Sequence, residues 1–188
     1  MRGMELPEEI TTRRSIGHSH VMAPELRDPI KAKDVARRLT LKAASRLRRM
    51  DYYAGAMSFS ARLENDMRVH AEERVYRAQD NKTFLDLLNR LWARAIKPTP
   101  GMRIKKASIT LSDLVAATNL QAELFANTAD IDLAVRGKAE KLSRAMDEIN
   151  HRFGRDSVLI GVTPADGQSF SGSKIAFTRI PDLDEFLE

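Results

Sequence analysis

Apolar residues along this chain recur with two different periods. Between Tyr52 and Arg77 the period is two. Met57, Phe59, Ala61 and Leu63 alternate with Ala54, Ala56, Ser58, Ser60 and Arg62; Met67, Val69, Ala71 and Val75 then alternate with Arg68, His70 and Arg74. Successive side chains of a strand point to opposite faces. The stretch therefore reads as two strands joined at the polar turn Glu64-Asn65-Asp66, with one apolar face and one of small and basic residues. Before it, Val35, Leu39, Ala43, Leu47 and Met50 recur at helical spacing behind Asp28-Pro29, an N-cap acid with proline in the first turn. After it, Phe84, Leu88, Leu91 and Ala95, flanked by Leu85 and Trp92, form a second helical stripe. That helix opens at a capping-box-like Thr83-Phe84-Leu85-Asp86 and stops at Pro98 and Pro100-Gly101. Trp92 lies within the stripe and so reads as core.

Weak alternation from Arg13 to Val21 and clear alternation from Arg103 to Ser112 add a first and a last strand. In the latter, Ala107, Ile109 and Leu111 oppose Lys106, Ser108 and Thr110. The order strand, helix, strand, strand, helix, strand predicts an α+β domain with a βαββαβ order. Its two helices would cover one face of a four-stranded, mainly antiparallel sheet and leave the other open. Farther on, Ala139, Leu142, Met146, Ile149 and Phe153 predict a third helix ended by Gly154. Short strands are expected at Val158–Val162 and, after a Gly/Ser loop, at Lys174–Ile180. The divisions this suggests are a leader or linker over 1–12, the sheet domain over 13–113, a linker over 114–136 and a C-terminal α/β extension over 137–188.

Charge sharpens the picture. The 188 residues carry a net charge of +5, placed unevenly: residues 1–113 hold 23 Lys and Arg against 14 Asp and Glu, whereas 114–188 hold 8 against 12. A basic part facing a polyanion and a more acidic appendage fit that split. A sheet face of small and basic side chains lets backbone amides and guanidinium groups approach phosphates closely. An ordinary solvated face has the same composition, and Glu72-Glu73 weakens the basic case. The first helix carries Lys31, Lys33, Arg37, Arg38, Lys42, Arg46, Arg48 and Arg49, which reads first as a solvated face. There are no cysteines, so disulfides and thiolate metal sites are excluded. There is no apolar run long enough to span a bilayer, and MRGMELPEEI is no signal peptide.

Arg14-Ser15-Ile16-Gly17 on the first strand, the hairpin, and a last strand ending Ser108-Ile109-Thr110-Leu111 resemble the little-finger domain of Y-family translesion DNA polymerases. The DNA polymerase IV and ImpB/MucB/SamB (UmuC-like) branches are the most similar. The resemblance covers roughly Ile10 to Leu114. It implies a sheet face that lies in the DNA major groove and grips backbone phosphates of both strands, largely without reading sequence. Carried onto this chain, the contacts would be Arg14, Ser15 and Gly17, then Ser58, Ser60, Arg62, Arg68 and Arg74 of the hairpin, then Lys106 and Ser108. Glu72-Glu73 departs from that pattern and puts the middle of the third strand in doubt. Gln121-Ala122-Glu123-Leu124-Phe125 resembles the pentapeptide with which bacterial polymerases hold the sliding clamp: Gln121 would orient the peptide while Leu124 and Phe125 fill an apolar pocket. The competing reading is a plain helical stripe of Leu114, Ala117, Leu120 and Leu124. MDEINHRFGRDSV is similar to the C-terminal extension of the same branch.

The implied protein is the C-terminal part of an error-prone, SOS-type DNA-repair polymerase in a bacterial cytoplasm. Its partners would be primer-template DNA, the sliding clamp and the polymerase's upstream catalytic domains. Nucleotidyl transfer needs clustered carboxylates holding two metal ions. The resemblance places these, with Mg2+, in an upstream palm that nothing in this sequence resembles. The chain is therefore expected to be no enzyme on its own, with no catalytic residue, no metal ligand and no cofactor. Gly172-Ser173-Lys174 imitates a phosphate loop but precedes a strand-like run where a helix is required. His18 and His20 share a strand face but lack carboxylates at ligand spacing, so structural or solvent-exposed roles are expected. The class of protein that competes with this reading is an assembly domain whose sheet meets another protein.

Overall fold

A computed structural model describes residues 15–97, 99–119, 133–154 and 157–161. The elements are β1 (Ser15–Val21), α1 (Pro29–Arg49), β2 (Tyr52–Leu63), β3 (Arg68–Ala78), α2 (Asn81–Ala95), β4 (Ile104–Ala116) and α3 (Leu133–Phe153). The strands form one sheet in the order β1-β4-β2-β3, with every neighbouring pair antiparallel. This is the α+β, βαββαβ arrangement that the two periods predict.

Local chemistry sets the element ends. The Asp28 carboxylate accepts a hydrogen bond from Ile30 N at 2.9 Å and opens α1 with Pro29 in its first turn. The sequence places the start of α2 at Thr83, but the helix begins at Asn81, because Asp80 is its cap and accepts from Thr83 N at 2.8 Å. In the hairpin turn Asp66 sits at φ +64°, and Asn65 Oδ1 accepts from Met67 N. Val35, Leu39, Ala43 and Leu47 of α1 and Phe84, Leu88, Leu91 and Trp92 of α2 are buried against Met57, Phe59, Ala61, Ile109 and Leu111 of the sheet. Phe59 and Trp92 lie with ring centroids 5.1 Å apart, so the tryptophan belongs to the core.

Two expectations need correction, at α1 and at 158–162. The apolar stripe that marks α3 in the sequence is not its packing face: Met146 is buried, but Leu142, Ile149 and Phe153 are exposed. The helix packs through polar residues on a different face. Asp147 takes both Nε and Nη2 of Arg48, at 2.6 and 2.8 Å; Ser143 Oγ accepts from Asn81 N; and Glu140 meets Tyr53 and Gln79. For the same reason α1 is not simply solvated. Arg48, buried, also donates to Gln79 O, and Arg37 donates to Ile160 O. Finally, residues 158–161 form bends, not a strand. Val158 is held there by paired hydrogen bonds to the Asn150 side chain, which occupy the backbone groups a strand partner would need. The strand expected at 174–180 lies outside the described residues.

Candidate nucleic-acid interface

Strand register decides which side chains share the face opposite α1 and α2. Cross-strand pairing lines up four rows across the sheet: Ser15, Ser112, Ala56 and Arg74; Gly17, Thr110, Ser58 and Glu72; Ser19, Ser108, Ser60 and His70; Val21, Lys106, Arg62 and Arg68. Of the ten residues singled out in the sequence, Ser15, Gly17, Ser58, Ser60, Arg62, Arg68, Arg74, Lys106 and Ser108 all fall on this grid. Arg14 lies outside the described residues, as do Gln121, Leu124 and Phe125. Ser19 and Ser112 were not singled out, although each stands two or four places from a residue that was. The period of two was the signal that could have found them.

The two large helices pack on the opposite face, and α3 reaches the sheet at Tyr53, beyond the last row. The interior of the grid is built of small residues. A Cβ on Gly17 would come within 3.3 Å of Ile109 O and Thr110 Oγ1, so glycine permits β1 and β4 to close here without displacing Thr110. The cations stand at two ends. Arg62, Arg68 and Lys106 share the row next to the hairpin turn, and Arg74 stands six residues along β3. The Arg62 guanidinium lies 3.0 Å from Asp66, whose carboxyl is held below its usual range chiefly by the charges of Arg62 and Lys105. Arg68, Arg74 and Lys106 make no ion pair among the described residues. Arg77, past the grid, pairs with Asp113 at 3.0 Å beside Gly55, where the pairing of β2 with β3 shifts register. Glu64 binds Arg27 and Arg103 at 2.6 and 2.8 Å, which pins the hairpin turn to the rest of the domain and lowers its carboxyl, first through the Arg27 hydrogen bond.

The two glutamates in doubt separate. Glu73 points to the helix side and binds Arg90 and Arg94 of α2 at 2.8 and 2.9 Å, so it is a strut between sheet and helix. Glu72 alone is on the grid, exposed, with His70 Nε2 3.9 Å away. His18 and His20 face the helix side. Nε2 of His18 is buried with no partner, and burial, aided by Lys42, Arg46 and Arg49, lowers its pKa from 6.5 to about 4. Burial lowers His20 likewise. Among the described residues no group of three His, Asp or Glu is placed to hold a metal ion.

The model of the impB/mucB/samB family C-terminal domain matches residues 13–124, more than half of the chain. The chain belongs to this family. The match spans the whole sheet, α1 and α2, and runs into the pentapeptide, so the grid is a surface of the impB/mucB/samB domain. Solved structures similar to the chain include a Y-family DNA polymerase chimera, Dbh-Dpo4(243-245)-Dbh, at 14% identity and a TM-score of 0.42, covering 56% of this chain and 30% of that one. DinB from Sulfolobus solfataricus is 12% identical with a TM-score of 0.41, covering 54% and 29%. The little finger domain of PolIV in its complex with the beta-clamp processivity factor is 13% identical with a TM-score of 0.43, covering 59% of this chain and 98% of that one. The chain thus spans less than a third of the length of the two polymerases. A comparison with curated proteins finds no match. No helix of the described residues is long and apolar enough to cross a membrane.

Proposed function

We propose that this domain holds primer-template duplex DNA by its phosphate backbones, within an error-prone translesion DNA polymerase of a bacterial cytoplasm. The catalytic palm, with its Mg2+, would lie in another part of that polymerase, and this domain would do no chemistry alone. One observation carries the reading: four rows that no described helix covers bring Arg62, Arg68, Arg74 and Lys106 onto one face with Gly17, Ser58, Ser60 and Ser108. Guanidinium and ammonium groups would neutralise phosphates, while hydroxyls and small residues let the backbone rails come close without base-specific contacts. Arg14, one residue before β1, would extend the cationic edge.

The test is the salt dependence of duplex binding. Each phosphate contact adds about 0.9 to the slope of log affinity against log salt. Arg68→Ala with Arg74→Ala is expected to flatten that slope by about 1.8, read by fluorescence anisotropy on a duplex over a salt series. An unchanged slope removes this face from the interface. Indifference of the unaltered chain to duplex at low salt would favour the assembly-domain reading.

Gln121, Leu124 and Phe125 are proposed as the clamp-docking peptide of the same polymerase. β4 continues to Ala116, with a short 3-10 turn at Ala117–Asn119, which leaves the helical stripe from Leu114 unsupported over those residues. Two apolar anchors of this kind are typically worth about 2 kcal/mol or more each. The Gln121→Ala, Leu124→Ala and Phe125→Ala triple variant should therefore lose clamp binding more than about 100-fold in a surface-plasmon measurement. Its duplex affinity should stay within about twofold; a parallel loss of both would mean that the peptide supports the sheet domain instead.

A further inference from the structure

On the helix side of β1 a cleft of about 400 Å³ opens between α1, α3 and the bends at 157–161. That volume is in the range of small-molecule sites. Its α1 wall is Arg38, Lys42, Ser45 and Arg49, spaced four, three and four residues apart, so one stripe of the helix brings three cations and a hydroxyl to the cleft. The α3 wall supplies Met146, Asp147 and Asn150, and Val158 and Leu159 close the far side. Asn150 anchors Val158 to α3 by paired hydrogen bonds of 2.9 and 3.1 Å.

The cleft is positive. Asp147 is the one acid among the described residues that line it, and Arg48 takes both its oxygens, at 2.6 and 2.8 Å. His18, which also lines the cleft, feels the field: burial first, then the charges of Lys42, Arg46 and Arg49, lower its pKa to about 4. Cations crowded along one cleft repel one another, and an anion placed between them relieves that repulsion.

The spacing narrows the kind of anion. Arg38 and Arg49 are eleven residues apart, about 16 Å at the rise of a helix. A lone phosphate reaches neighbouring members of such a stripe, whereas an extended polyphosphate can engage all three long side chains. Leu41, Met146, Val158 and Leu159 form an apolar wall that phosphate groups cannot use, but an apolar or flat body attached to them can. Asn81, buried, lines the same cleft, and its Oδ1 has no hydrogen-bond partner among the described residues. A hydroxyl or amino group of a ligand would supply the donor.

We propose that this cleft binds a small organic polyphosphate of the nucleoside di- or triphosphate class. Its phosphates lie along Arg38, Lys42 and Arg49, and its body rests against Met146, Val158 and Leu159. The site is separate from the DNA-holding grid, whose rows lie on the other face of the sheet, and it stands or falls without it.

Isothermal titration calorimetry of the chain with ATP, inorganic triphosphate and adenosine, in EDTA, tests the assignment. ATP is expected to bind at least about tenfold tighter than either of its parts. Lys42→Gln and Arg49→Gln should each weaken ATP binding about tenfold, the effect of losing one charge-assisted hydrogen bond. Lys31→Gln, with the same loss of charge elsewhere on α1, should change it less than about twofold, and so should Arg68→Ala with Arg74→Ala on the grid. Amide NMR shifts of the unaltered chain on adding ATP should gather at Ser45, Asn150, Val158 and Leu159, which locates the site even if a variant disturbs α1. No binding of ATP at millimolar concentration, inorganic triphosphate held as tightly as ATP, or shifts on the rows of the grid instead would each overturn the proposal.

Discussion

Phe59→Ala should lower the unfolding free energy by about 4 kcal/mol, the midpoint of the range for emptying a buried phenylalanine site. Phe59 is fully buried at the middle of β2, paired with Ile109 on one side and Ala71 on the other, with the tilted ring of Trp92 of α2 against it. Strands on both sides and a helix above leave little room for the site to collapse, which argues against the low end of the range. Domains of this size are typically stable by about 5–15 kcal/mol, so the variant should lose between about a quarter and four-fifths of that stability. Urea denaturation followed by circular dichroism measures the loss. Ser60→Ala, one residue along on the open face, is expected to stay within about 0.5 kcal/mol. If the two substitutions cost the same, the sheet does not divide into a packed and an open side.

The second large effect is a loss of stability in mild acid. Above pH 6.5 His18 is neutral in both the folded and the unfolded chain and contributes no pH dependence. Below that the unfolded chain takes up a proton that the folded one refuses until about pH 4. The unfolded state therefore binds more protons throughout the window, and stability falls as pH drops through it. The total is about 3 kcal/mol at 1.36 kcal/mol per pH unit. His20, lowered by burial, acts in the same direction. Equilibrium unfolding between pH 7 and 4 measures the slope, and His18→Leu should flatten it, since Nε2 has no partner to lose. An equal slope in that variant would mean that His18 is solvated in the folded protein.

Much of the fold was legible because alternation and helical spacing report directly on burial. Met57, Phe59, Ile109 and Leu111 are buried where the period of two places them, and Leu88 and Leu91 where the helical period does. The grid was legible for the same reason, since parity along a strand fixes its face. What failed were inferences made without a partner in view. Glu72 and Glu73 looked alike in the sequence, but parity sends one to solvent and one to Arg90 and Arg94. The basic residues of α1 read as solvated because nothing in the sequence pairs Arg48 with Asp147, ninety-nine residues away. On α3 the apolar stripe was real, but the packing face is polar, and hydrogen bonds through Ser143 and Asp147 leave no periodic trace. The cap of α2 was misplaced because Asp80 and Thr83 are both acceptable caps, and only the backbone decides between them.

The most direct measurement of the central claim is an amide NMR titration of the chain with a short duplex. The account predicts shifts concentrated at Gly17, Ser58, Ser60, Arg68, Arg74 and Ser108, with Lys31 on α1 and Arg90 on α2 unmoved. Shifts confined to the helices, with the four rows of the sheet silent, would contradict it.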